Sequence, residues 1–80
     1  MTIGEALRNR IVELVDEQDI TLNKLATISG ITQSTINNIT SGRNNSATVS
    51  TVKKICDGLG IDIREFFNSS VFDNLEQEIK

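Results

Sequence analysis

The chain has no proline, histidine, tryptophan or tyrosine, and one cysteine among its 80 residues. Without histidine, and with a single thiol, neither the usual zinc ligand sets nor a Ser-His or Cys-His nucleophile pair can be assembled. A lone cysteine permits no internal disulfide, which fits a reducing cytoplasm. No apolar run approaches the roughly 20 residues needed to cross a bilayer, and the first residues lack the basic-then-apolar pattern of a signal peptide. The expectation is a cytoplasmic, non-enzymatic chain with no metal, cofactor, membrane or small-molecule ligand. Hydrophobic content of 38% and charged content of 24% suit one small globular domain rather than a disordered segment.

Acid is missing locally. The net charge is −3, but the eleven acids are unevenly placed. Met1 to Asp19 holds Glu5, Glu13, Asp16, Glu17 and Asp19 against Arg8 and Arg10. Asp57 to Lys80 holds six acids against Arg64 and Lys80. Between them, Ile20 to Cys56 holds Lys24, Arg43, Lys53 and Lys54 and no acid. A middle third purged of negative charge is what a face turned toward a polyanion requires.

Periodicity predicts an all-α fold of five helices. Leu7, Ile11, Leu14 and Val15 mark an amphipathic helix from about Glu5 to Gln18, with Arg10, Glu13 and Glu17 on its solvent face. Thr21 caps a second helix containing Leu22, Leu25, Ala26 and Ile28, and Gly30 ends it in a tight turn. Thr32 caps a third helix through about Ser41, ended by Gly42. After the polar loop "RNNSA", Thr48 caps a fourth helix with Val49, Val52, Ile55 and Leu59 as its apolar stripe and Gly60 as its stop. Asp62 and Glu65 form a D-x-x-E box opening a fifth, short helix with Ile63, Phe66 and Phe67. These elements set a domain over 1–68, with 69–80 as a short helical tail. In the tail Val71, Phe72, Leu75 and Ile79 fall on one helical face, ready either to fold back on the core or to pack against a second copy. Cys56, beside Ile55, reads as small core filler.

The third helix is unusual in composition. On a helical wheel Ile36 and Ile39 point one way, while Gln33, Ser34, Asn37, Asn38 and Ser41 occupy the other side. Ser, Thr and Asn are mediocre helix formers, so a helix meant only to fill space would be built otherwise. Short uncharged donors and acceptors suit the floor of the DNA major groove, where Gln or Asn pairs two-pronged with adenine. Lys24 and Arg43 supply charge at the edges, where phosphates would lie.

The stretch "TLNKLATISGITQSTINNITSGR" resembles the helix-turn-helix of the lambda repressor and Cro family of prokaryotic and phage regulators. The matching features are Thr21, the Leu25-Ala26 pair, Gly30-Ile31, the run Thr32 to Ile36, and Gly42-Arg43. The likeness continues through "ATVSTVKKICDGLGID" and covers roughly Glu5 to Phe67. It implies a five-helix lambda-repressor-like DNA-binding domain and a transcriptional regulator, usually a repressor, that binds a double-stranded operator as a homodimer. By the same resemblance Gln33 and Ser34 lead the base reading, with Asn37 and Asn38 behind them. Thr21, Lys24, Thr32, Ser41, Arg43, Asn44 and Asn45 take phosphates, the helix N-terminus at Thr21 contributing free amides. Val71, Phe72, Leu75 and Ile79 are the dimerisation candidates.

The chain departs from the family pattern at two places. Many members carry a Gln after the second helix's cap that braces the recognition-helix Gln; here the position is Leu22. Many also carry an acid three residues before the turn Arg or Lys; here it is Thr40. Leu22 and the acidic total leave a second reading open, a protein-interaction module of the same fold, antitoxin-like or anti-repressor, that does not bind DNA.

Overall fold

The computed structural model describes residues 1–41 and 47–79. Among them the chain forms five α-helices and no strand: α1 Ile3–Glu17, α2 Leu22–Ser29, α3 Gln33–Thr40, α4 Val49–Leu59 and α5 Ile63–Phe67, followed by a 3-10 turn at Ser70–Phe72. The caps fall where short hydroxyl and carboxylate side chains were expected to place them. Thr21, Thr32, Thr48 and Asp62 each accept from the backbone N–H three residues on. Gly30 and Gly60 end α2 and α4 in left-handed conformation, with φ of 68° and 73°. α1 begins earlier than its apolar stripe indicated, because Thr2 and Glu5 close a reciprocal capping box ahead of it.

One core joins all five helices, through Leu7, Ile11, Leu14 and Val15 of α1, Leu25 and Ala26 of α2, Ile36 and Ile39 of α3, Val52, Ile55, Cys56 and Leu59 of α4, and Phe66 of α5. α2 and α4 make the most extensive helix pair. They approach so closely that a Cβ on Gly58 would stand 2.6 Å from Ser29 Oγ and 3.0 Å from the Ile28 carbonyl. Cys56 is fully buried as expected, and that burial pushes its thiol pKa up, away from reactivity.

Three expectations are corrected. Arg10, expected on the solvent face of α1, is 7% exposed. Its Nε donates to the Phe66 carbonyl at 2.6 Å, its Nη2 to the Glu65 carbonyl at 2.8 Å, and its Nη1 to Glu13 Oε1 at 3.0 Å. A buried guanidinium is retained only where its donors are used, and here two of them go to carbonyls in the last turn of the short α5, the Glu65 carbonyl also accepting from the Asn68 N–H at 3.3 Å. Val49, expected in the α4 stripe, is 78% exposed at the first residue of that helix.

The third correction concerns the tail. Its helical part is the single 3-10 turn, so Val71, Phe72, Leu75 and Ile79 do not share an α-helical face. Val71 and Phe72 are half-buried, and the Phe72 ring centroid lies 5.0 Å from that of Phe67 and 6.3 Å from that of Phe66, tilted against both. Leu75 and Ile79 are exposed. Beyond the turn the chain is tied to the other terminus: the Met1 ammonium donates to the Asn74 carbonyl at 3.0 Å, and the Glu76 N–H donates to the Met1 carbonyl at 2.9 Å. Ser69 Oγ also donates to Glu13 Oε1 at 2.9 Å, joining the tail to the Arg10 cluster. These long-range bonds outcompete a final helix too short to be stable alone.

Candidate nucleic-acid interface

The candidate surface is built by α2, the turn at Gly30 and α3. The Gly30 N–H donates to the Thr27 carbonyl and the Ile31 N–H to the Ala26 carbonyl at 3.1 Å, which reverses the chain after α2. Half-buried Ile31 packs on the core, Thr32 follows in extended conformation, and α3 starts at Gln33. Thr32 Oγ1 accepts from the Thr35 N–H at 3.1 Å and pairs with the Thr35 hydroxyl at 2.9 Å.

Energetics explain why so polar a segment is helical. Ser34, Thr35, Asn37, Asn38 and Thr40 each cost up to about 0.7 kcal/mol in propensity. Burying Ile36 and Ile39 contributes about 1.5–3 kcal/mol each, and the Thr32 cap adds about 1 kcal/mol. Tertiary packing therefore decides the conformation, and the outward face is left to satisfy another requirement.

That face carries Gln33, Ser34, Asn37 and Asn38, all exposed, with exposed Thr32 at its start and exposed Ser41 at its end. Ser41 Oγ donates to the Asn38 carbonyl at 2.8 Å. Thr21 is exposed at the α2 cap, where it accepts from the Lys24 N–H at 3.0 Å, and the Lys24 side chain is exposed one turn along. No acid lies on α2 or α3. Lys53, by contrast, is paired with Asp57 one turn away, whose hydrogen bond raises its pKa. Arg43, Asn44 and Asn45 lie outside the described residues.

Two features were missed in sequence. Gln33 Nε2 donates to Asn37 Oδ1 at 3.1 Å, so two residues assigned separate reading roles are joined. The i, i+4 spacing of two amides was the available signal. Leu22, where many relatives carry a bracing Gln, instead packs against the core. The second feature is an apolar cavity of about 160 Å³ between α1, α4 and α5, lined by Ile3, Leu7, Val49, Val52, Ile63 and Phe67 among others. Signals existed in Val49 and Phe67, but their periodicity placed them in the core. Among the described residues, no group of three or more acids and cysteines could hold a metal ion, and no helix is long and apolar enough to cross a membrane.

A helix capped by Thr21, a left-handed glycine, and a second capped helix with a hydroxyl-and-amide outer face define a helix-turn-helix protein. A helix-turn-helix family model, HTH_3, matches residues 11–66, and the chain belongs to that lambda repressor/Cro-like DNA-binding family. Among solved structures, the crystal structure of the prophage Lp1 protein 11 is similar, with a TM-score of 0.82 and 35% identity over 92% of this chain and 97% of that one. No curated protein matches the chain significantly.

Proposed function

We propose that the chain is a sequence-specific double-stranded DNA-binding regulator, acting as a repressor, that reads the major groove with α3. The carrying observation is an acid-free helix anchored by Ile36 and Ile39, with Gln33, Ser34, Asn37 and Asn38 turned outward. Gln33 and Ser34 at the helix start lead the base contacts. Thr21, Lys24, Thr32 and Ser41 flank them on the phosphates, joined from outside the described residues by Arg43, Asn44 and Asn45. Few cations take part, so log affinity falls only shallowly with log salt, as for a few neutralised phosphates per subunit.

A homodimer reads two half-sites, whose centres lie about 34–36 Å apart if they are one helical turn of DNA apart. Of the tail residues proposed for dimerisation, Leu75 and Ile79 are the ones whose side chains remain exposed for a partner, while Val71 and Phe72 are half-buried.

Selection of bound sites from a random duplex library tests binding, symmetry and spacing together. A palindromic motif with one-turn spacing is expected. Absence of binding to random duplex at micromolar protein and low salt would replace this reading with the interaction module, for which the exposed apolar rim of Val49, Ile63 and Phe67 would be the first surface to examine.

A further inference from the structure

The geometry points to Asn37 as a positioning residue for Gln33, fixing which face of each amide meets the DNA; this inference rests on the base-reading role of α3 proposed above. Both side chains are exposed on α3, and nothing in the core holds either one. Leu22 is turned into the core and offers no polar group. Thr32 and Thr35 bond to each other. The contact that orders Gln33 is its own Nε2–H to Asn37 Oδ1, at 3.1 Å.

The direction of that bond has consequences for recognition. A glutamine amide has one acceptor oxygen and two N–H donors. Adenine takes the oxygen and one N–H, through its N6 amino group and N7. The other N–H is surplus to that pairing, so Asn37 can hold Gln33 without consuming its reading edge. Ordering a flexible glutamine before the duplex arrives removes a cost that would otherwise be met on binding.

For Asn37 the same bond takes one of the two lone pairs of Oδ1 and leaves both Nδ2 hydrogens uncommitted to Gln33. A donor matches guanine O6 and N7 or thymine O4, and does not match the amino group of cytosine. The pair therefore reads adenine at Gln33 and offers a donor beside it, to a purine N7 or to the oxygen of guanine or thymine.

The test uses the full chain on its selected site. The base pair read by Gln33 is first identified as the one at which Gln33→Ala loses discrimination, from roughly five- to a hundredfold in the parent down to nearly none. Asn37→Ala is then expected to reduce discrimination at that same base pair severalfold. Asn37→Asp keeps an acceptor for Gln33 Nε2 and should restore that discrimination, while its added charge weakens preferred and random duplex alike. In the free protein, the Gln33 side-chain amide resonances should move toward those of an unconstrained glutamine in Asn37→Ala and stay near the parent's in Asn37→Asp.

An Asn37→Ala variant whose discrimination changes only at a different base pair would overturn the inference, leaving Asn37 as an independent reader. So would amide resonances of Gln33 indifferent to the Asn37 substitutions. If Gln33→Ala alters no base preference, base reading by α3 itself fails, and the positioning role falls with it.

Discussion

Two polar side-chain clusters face opposite ways in this chain, one charged and one built from neutral amides. Arg10 bonds to Glu13, which also accepts from Ser69, and reaches the Phe66 and Glu65 carbonyls behind an almost closed surface. Gln33 and Asn37 bond to each other in the open. The first cluster spends its donors on its own backbone, holding α1, α5 and the tail together. The second makes one internal bond and keeps its remaining donors and acceptors available. In a chain this small the difference between architecture and recognition lies less in residue type than in how many polar atoms remain uncommitted.

The largest expected effect breaks the inward cluster. Arg10→Met preserves much of the packing but removes the charged donor that the Phe66 and Glu65 carbonyls share. Urea denaturation should show a loss of about 2–4 kcal/mol, as expected for removing a charged donor from buried acceptors. A loss under about 1 kcal/mol would mean that water replaces the guanidinium readily, and the contrast between the clusters would not hold.

The next effect separates stability from binding at the outward cluster. The double variant Gln33→Ala with Asn37→Ala should leave unfolding free energy within about 0.5 kcal/mol of the parent. Affinity for the preferred duplex should fall by about 1–3 kcal/mol with little change on random DNA, by fluorescence titration. Equal losses on both duplexes would show that the amides contribute affinity without reading sequence.

The same contrast explains what could be read in advance. Caps and stops depend on local chemistry, so Thr21, Thr32, Thr48, Asp62, Gly30 and Gly60 were legible from neighbours within three or four residues. The α3 face was legible because Ile36 and Ile39 alone set its orientation. Arg10 was not, since its partners lie 55 and 56 residues away and a helical wheel carries no information about them. The tail was misjudged for the same reason: its apolar spacing is helical, but contacts with Met1, Glu13 and the Phe66–Phe67 pair decide its path. Local pattern reports conformation well and long-range polar pairing poorly.

A smaller effect lies at the chain's start, beside the tail. Thr2→Ala removes the α1 cap and should cost about 1 kcal/mol in thermal or urea unfolding. The Thr2 backbone N–H, then its hydroxyl, holds the Glu5 carboxyl below its ordinary 4.5. A folded pKa below the unfolded one gives stability that is complete above 4.5 and is lost as pH falls through the folded value. Glu5→Gln should therefore flatten that part of the acid limb of a pH–stability profile; an unchanged limb would assign the acid sensitivity to other carboxylates.

The smallest effect concerns a polar group that belongs to neither cluster. Ser29 Oγ is buried at the α2–α4 crossing and has no hydrogen-bond partner among the described residues. A buried hydroxyl left unsatisfied carries a desolvation cost that its methyl equivalent does not. Ser29→Ala keeps the small volume that the approach of Gly58 demands and removes the hydroxyl. Unfolding free energy should be unchanged or rise, by up to about 1 kcal/mol. A clear loss would reveal a hidden partner for the hydroxyl, most simply a bound water, and would place Ser29 with Arg10 among the groups that hold the helices together.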